Sequence, residues 1–162
     1  MLILISFVLT LIFGSFMEYW LHRLMHSWPK FGRDIITHYD HHRRNEGQGV
    51  MGEFKDYLKA VVALSWVILI SRPIGIGFIL GACVYAIFSA YAHQLQHDNP
   101  SKCFWMKMPV HYVHHKYNQW HHNFGLGVDW WDKVFGTYKL MEWQEEAELN
   151  QPEQGYLQIK WW

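Results

Sequence analysis

Residues 18–26 read Glu-Tyr-Trp-Leu-His-Arg-Leu-Met-His, and they join a long apolar run to the first of several histidine clusters. Residues 1–17 carry no charged side chain. As a helix they extend roughly 26 Å, nearly the thickness of the hydrocarbon core of a bilayer. The run lacks the basic start and the small-residue cleavage site of a signal peptide. We therefore expect a retained membrane helix over residues 1–21 that continues directly into His22.

The twelve histidines lie in short clusters, and none occurs between His42 and His93 or after His122. Residues three or four apart share one face of a helix, so the HxxxH and HxxHH spacings each aim imidazoles in one direction. Histidines that only contacted solvent would be scattered along the chain. The clustering therefore predicts a metal site. The clusters are His22/His26, His38/His41/His42, His93/His97, His111/His114/His115 and His121/His122.

The number of histidines favours two metal ions. A structural zinc takes four ligands and a catalytic zinc takes three plus water, so ten histidines in four clusters exceed one such site. With four or five imidazoles each, two ions would keep open positions for O2 or substrate. We expect no catalytic residue beyond the ligands. The predicted ligands are His22, His26, His38, His41, His42, His93, His97, His111, His114 and His115.

Several residues beside these ligands have more than one interpretation. His121 and His122 are outer ligands, hydrogen-bond donors to a ligand, or simply part of a loop. Glu18, Asp40 and Asp98 lie next to or one helical turn from predicted ligands. Each of these carboxylates either orients an imidazole through its free nitrogen or acts as a helix cap or solvated charge.

A second apolar region, residues 60–92, contains a single charged residue, Arg72, which is followed by Pro73. We interpret this pair as a turn within a helical hairpin over residues 58–92 that enters the membrane. Two buried helices of a soluble bundle are the alternative. A spanning first helix and a returning hairpin would place every histidine cluster on one membrane face.

The charge pattern indicates which face that is. Seven Lys and Arg residues lie between Arg23 and Lys59 and six follow from Lys102 onward, whereas Arg72 alone lies at the opposite end. By the positive-inside rule the histidine-bearing face is expected to be cytoplasmic.

The formal net charge of the whole chain is zero, which excludes the basic footprint of a nucleic-acid-binding protein. Residues 142–153 are acidic and polar and are expected to form a solvated tail.

Taken together in this order, the motifs resemble the fatty acid hydroxylase/sterol desaturase superfamily of membrane di-iron oxygenases. Residues 18–26, His38-Tyr39-Asp40-His41-His42, residues 93–97 and His111-Tyr112-Val113-His114-His115 resemble its four histidine motifs. Asn123-Phe124-Gly125 and Trp131-Asp132-Lys133-Val134-Phe135-Gly136-Thr137 resemble the segment that closes such domains. The resemblance covers most of the chain.

The resemblance implies an all-α integral membrane protein with a cytosolic, histidine-rich, metal-binding helical cap. One fatty acid hydroxylase-like domain would occupy residues 1–162, with a membrane helix at 1–21, a membrane hairpin at 58–92, the cap at 22–57 and 93–140, and a tail at 141–162. The histidines would hold two iron ions, which zinc can replace on purification. These irons would use O2 as co-substrate to hydroxylate or desaturate a C–H bond of a lipid such as a fatty acid or sterol.

The same resemblance implies partners. They are the membrane, a lipid substrate and a separate electron-transfer protein. The electron-transfer protein is expected because no fused cytochrome-like segment is visible in the sequence. The length of the chain and the order of its motifs also resemble those of short carotenoid hydroxylases of the same broad group, although the ending Trp131–Thr137 favours the fatty acid and sterol enzymes. A non-catalytic membrane metal-binding protein is a further alternative. A zinc hydrolase is disfavoured, because the sequence contains no HExxH motif.

Overall fold

The structure, a computed structural model, describes residues 1–36, 38–143 and 154–162. These residues contain helices and irregular segments and no strand, as the sequence predicted. The α-helices are α1 (Leu2–Ser27), α2 (His38–Arg44), α3 (Val50–Leu64), α4 (Val67–Ile70), α5 (Arg72–Asp98), α6 (Val110–Lys116) and α7 (Trp130–Val134). A π-helical segment covers Lys30–Ile35 and a 3-10 turn covers Pro100–Lys102.

Two helices, α1 and α5, are long and apolar enough to cross a membrane. The apolar N-terminal run and the first histidine motif share one unbroken helix, α1, so His22 and His26 sit on its last turns. Helix α5 likewise ends with His93 and His97. A helix of this length spans about 40 Å. Its apolar part is therefore long enough to cross a bilayer with the histidines beyond it.

Helices α1 and α5 run parallel and touch through glycines. Gly77 faces the backbone of Ile3, and a Cβ placed on Gly81 would lie 2.7 Å from the carbonyl oxygen of Phe7. Small residues four apart on one face allow this close approach of two helix backbones, as they do in membrane helix pairs. The parallel pairing brings the histidine-bearing ends of both helices to the same end of the molecule.

Helix α3 runs antiparallel to α5 and starts well before the expected hairpin. It begins at Val50, and its first turns carry charged residues, including an exposed Asp56–Lys59 ion pair of 2.6 Å. A short turn and α4 then lead into α5, which starts at Arg72 with Pro73 in its first turn. Proline is tolerated there because that N–H has no partner within the helix.

The remaining described residues form a cap over the histidine-bearing ends of α1 and α5. The acidic stretch expected at residues 142–153 lies almost entirely outside the described residues. The last residues of the chain pack against the cap. The backbone N–H groups of Val50 and Met51 donate to the carbonyls of Lys160 and Trp161, and Ile159 is buried in the core. These carbonyls satisfy N–H groups at the start of α3 that have no acceptor within the helix.

Candidate metal centre

One group of five histidine ring nitrogens converges where α1, α2 and α6 meet. The donor atoms all lie within 4.8 Å of one another. Four of the five side chains are buried, and His42 is half-buried. We call this set group one, and its members are His22, His26, His38, His42 and His114.

Helical spacing explains which histidines each element supplies to group one. His22 and His26 are four apart on α1, and His38 and His42 are four apart on α2. Each pair therefore projects from one face of its helix. His114 comes from α6 and approaches from the opposite side, with its Nε2 3.0 Å from Nε2 of His26 and 3.2 Å from Nε2 of His42.

A second group of four histidines lies beside the first. Its members belong to α2, to the last turn of α5 and to α6. Its donor atoms also lie within 4.8 Å of one another. The Nε2 atoms of His97 and His111 are 3.1 Å apart. His111 is buried, whereas the other three are half-buried, so this group is nearer to solvent than group one. We call it group two, and its members are His41, His97, His111 and His115.

Backbone carbonyls fix the protonation of three of these rings. The Nδ1 atoms of His22, His114 and His41 lie 2.7, 2.7 and 2.9 Å from the carbonyl oxygens of Phe124, His122 and Glu46 respectively. A carbonyl only accepts, so each Nδ1 must carry the proton and donate it. In a neutral imidazole the Nε2 atom then has a free lone pair, which is the form that binds a metal ion.

These lone pairs are buried and crowded together. The Nε2 atoms of His22 and His41 have no hydrogen-bond partner, and neither ring nitrogen of His115 has one. Buried polar atoms without a partner cost free energy, and lone pairs that converge repel one another. A bound cation removes both costs. The donor set of each group, four or five imidazoles, therefore fits a transition-metal ion.

The electrostatics of the cap keep these imidazoles neutral. Burial, followed by the repulsion of neighbouring imidazoles, lowers the pKa of His42 to about 2. Burial lowers the pKa of His114 to about 4. Burial and the charge of His93 lower the pKa of His41 to about 4. Metal ligation requires neutral imidazole, so the protein holds these rings ready to bind metal at neutral pH.

His93, a predicted ligand, lies outside both groups but borders group two. Its ring centroid is 4.4 Å from that of His111. Its Nδ1 lies 3.0 Å from a carboxylate oxygen of Glu53 on α3, within ion-pair distance, and neither of its ring nitrogens has a hydrogen-bond partner. Sequence reasoning missed Glu53, because only the antiparallel packing of α3 on α5 brings it to His93.

His121 and His122 also lie outside both groups, whose members come from the other ten predicted histidines. His122 reaches group one through its backbone, since its carbonyl accepts the Nδ1–H of His114. The side chain of His121 is exposed. His122 therefore supports group one through its main chain, as a hydrogen-bond acceptor for His114, and the sequence did not predict this role.

The three carboxylates next to predicted ligands bind other partners. Asp40 pairs with Arg43 at 3.0 Å. Asp98 accepts hydrogen bonds from the side chain of Gln94 and the backbone of Lys160. Glu18 is buried and accepts hydrogen bonds from backbone and hydroxyl groups. Its donors are the N–H groups of Leu126 and Gly127 and the hydroxyls of Tyr57, Tyr85 and Ser89.

Asp132 on α7 secures the loop that supports His22. Its carboxylate accepts hydrogen bonds from the backbone N–H groups of Phe124 and Gly125 at 2.8 and 2.7 Å, and from the hydroxyl of Thr137. The carbonyl of Phe124 in turn accepts the Nδ1–H of His22. Together with Glu18, which holds the next two residues, Asp132 fixes residues 124–127 from two sides. The sequence offered no signal for this role beyond the resemblance of the closing segment.

Comparison with known proteins gives one match. The family model described as fatty acid hydroxylase matches residues 7–137, a range that contains every histidine of both groups. Searches of curated proteins and of solved structures found no match.

Proposed function

Because this chain belongs to the fatty acid hydroxylase family, we propose that it is a membrane oxygenase that uses O2 to hydroxylate or desaturate a C–H bond of a lipid. Family membership supports the broader class, a lipid-modifying oxygenase. The two irons, the O2 dependence and the choice of a fatty acid or sterol as substrate are our proposal.

The observation that carries the proposal is the position of two adjacent imidazole groups at the ends of two long apolar helices. A lipid chain lying along α1 or α5 would have the metal centre at the end of its path. Group one is more buried than group two. This difference in burial supports different roles for the two groups. Group one would hold its ion away from bulk water, and the ion in group two would be nearer to an external electron carrier.

Iron bound at these groups would supply the redox chemistry that activates O2, which protein side chains alone do not provide. The ten predicted histidines would hold the two ions, five in group one and four in group two with His93 at its border. The protein's own contribution is orientation. The carbonyls of Phe124, His122 and Glu46 hold three imidazoles as Nε2 ligands, and Asp132 and Glu18 hold the loop that bears the first of these carbonyls.

We further propose that the metal centre faces the cytoplasm, where a separate electron-transfer protein would reach it. Thirteen of the fourteen Lys and Arg residues lie on the histidine-bearing side of the apolar segments, which the positive-inside rule associates with the cytoplasm. The family assignment and the two long apolar helices, α1 and α5, support the membrane location.

The test combines metal analysis with lipid analysis. The protein is purified from cells supplied with iron, and the lipids of the host are profiled with and without the protein. His114→Ala and His41→Ala remove one ligand from each group, and His121→Ala, an exposed histidine outside both groups, is the matched control. We expect an O2-dependent lipid product that disappears in the first two variants and persists in the control.

The outcome also separates the alternatives. An oxygenated carotenoid in a carotenoid-producing host would identify the carotenoid hydroxylase. Bound metal with unchanged lipids in both hosts would contradict the oxygenase and favour a metal-binding role.

A further inference from the structure

Helix α7 presents an apolar face that nothing in the described residues covers. Trp130 and Val134 are 47% and 66% exposed. They lie on a helix of only five residues that the metal cap holds against α1. Soluble surfaces seldom expose contiguous large apolar side chains without a partner.

The opposite face of α7 is fixed firmly to α1. The indole N–H of Trp131 donates to the hydroxyl of Ser15 at 3.0 Å, and its ring contacts Phe16 edge-on with centroids 5.3 Å apart. The ring of Phe135 stacks on that of Tyr19 at 5.4 Å. The exposed face therefore has a defined direction, away from α1.

The contact with α1 occurs at a particular depth. Ser15 and Trp20 lie roughly 20 and 27 Å along α1 from Leu2, at 1.5 Å per residue. A hydrocarbon core of about 30 Å that begins at Leu2 would end about 3 Å beyond Trp20, so this contact lies just inside the boundary of the core. Tryptophan and tyrosine concentrate at that boundary. Next to α7, the ring of Phe135 lies 6.4 Å from that of Trp20, an exposed residue of α1.

A basic residue lies just beyond the aromatic cluster. The guanidinium of Arg23 donates to the hydroxyl of Tyr19 at 3.1 Å and lies 5.7 Å from the ring of Trp20. Arginine with its stem along apolar surface and its charge toward phosphate groups is typical of the membrane boundary. The order along α1, apolar residues, then aromatic rings, then arginine, matches the order of layers from the bilayer core to its surface.

From these observations we infer that α7 lies in the lipid interface and is a second point of membrane attachment for the cap. Its apolar face contacts lipid, and its inner face, through Asp132, holds the loop whose Phe124 carbonyl orients His22. The same short helix therefore contacts lipid on one face and, on the other, holds the loop that orients His22 of group one. This inference rests on the proposed membrane insertion of α1, and the experiment separates the two.

The experiment measures lipid contact at single labelled sites. Cys83 and Cys103 are replaced by alanine, and a fluorescent label is placed on Val134→Cys, Leu9→Cys or Arg43→Cys in phosphatidylcholine vesicles. Leu9 is an exposed apolar residue of α1, and Arg43 is an exposed residue of α2. Nitroxide groups are attached to the lipids either near the head group or deep in the chains, and iodide in the buffer is the water-soluble quencher. Bound metal is measured in each labelled protein to verify the fold.

We expect the shallow nitroxide to quench the label at position 134 several-fold more than the label at position 43, and the deep nitroxide to quench the label at position 9. If position 134 behaves like position 43 while position 9 is quenched, α7 is in water and the inference is wrong. If position 134 is shielded from both water-soluble and lipid quenchers, another protein surface covers α7, which also overturns the inference. If position 9 is not quenched, membrane insertion and the proposed function fail as well.

Discussion

The imidazole rings of His42 and His115 lie face to face, with centroids 3.9 Å apart and planes inclined by 7°. His42 belongs to group one and His115 to group two, so this stacked pair is the contact between the two groups. Two cations, one bound in each group, would therefore be close to each other. Close spacing of two metal ions is the arrangement in which both act on one bound molecule.

The two groups are expected to bind metal separately. His114→Ala removes a buried ligand of group one, and His111→Ala removes a buried ligand of group two. Each variant should weaken the metal affinity of its own group, so that less than two equivalents but at least one are retained, because each leaves the other group intact. Metal analysis of purified protein at limiting iron checks this, with His121→Ala as the control that should retain both equivalents. Loss of both equivalents in either variant would show that the groups fill only together.

Glu53→Gln is expected to weaken the metal affinity of group two by roughly 10- to 100-fold, the usual effect of losing a carboxylate that orients a histidine. The carboxylate of Glu53 lies 3.0 Å from Nδ1 of His93, and the amide keeps the shape but loses the charge. Metal titration of the two groups measures the change. Asp56→Asn, an exposed carboxylate on the same helix, is the matched control. Equal affinities in both variants would contradict the role assigned to Glu53.

Asp132→Asn is expected to lower the free energy of unfolding by about 2 kcal/mol. An amide replaces one acceptor oxygen with a donor, so at least one of the N–H groups of Phe124 and Gly125 loses its partner inside the cap. Because the loop also orients His22, metal affinity of group one should fall while that of group two is retained. Denaturation in detergent and metal titration provide the two readouts. Asp40→Asn, an exposed carboxylate on α2, should change neither of them.

Gly81→Val is expected to destabilise the pairing of α1 with α5 by about 3 kcal/mol, the upper range for overpacking. The first carbon of any side chain at this position would meet the carbonyl oxygen of Phe7 at 2.7 Å. Thermal unfolding in detergent micelles measures the loss. Leu80→Val, next to it on the exposed face of α5, is the control. A variant as stable as this control would mean that the helices do not approach as closely as described.

The metal-free protein is expected to lose stability as the pH falls from about 6.5 to about 4. The pKa of His114 is lowered from 6.5 to about 4 in the folded protein, chiefly by burial. In this interval the unfolded chain binds a proton that the folded protein excludes, so the free energy of unfolding rises with pH and levels off above about 7. The contribution is roughly 3 kcal/mol for one such histidine.

Denaturation of the metal-free protein at a series of pH values checks this sign. In His114→Gln the slope of the free energy of unfolding against pH should become shallower by about one proton between pH 4 and 6.5. A slope that is unchanged in this variant would contradict the assignment of His114 as a buried neutral imidazole.

Local pattern alone determined several features of this protein. The uncharged N-terminal run continues into His22 without a break, because nothing between Phe16 and His26 interrupts a helix. The i, i+4 pairs His22/His26 and His38/His42 lie on common faces, because 3.6 residues per turn places them there. The family assignment from the order of the histidine motifs is confirmed by the family model over residues 7–137.

Only the tertiary structure decided how the histidines are divided. His41 and His42 are adjacent in sequence yet belong to different groups, and so do His114 and His115. Successive residues of a helix point about 100° apart, so adjacent histidines on α2 or α6 contact different neighbouring helices. The sequence of one helix does not show which residues of those neighbours its histidines contact. The contact of Glu53 with His93 and the loop held by Asp132 likewise join residues far apart in the chain. These pairings depend on how α1, α3 and α5 pack, and packing is a property of the assembled helices rather than of any one segment.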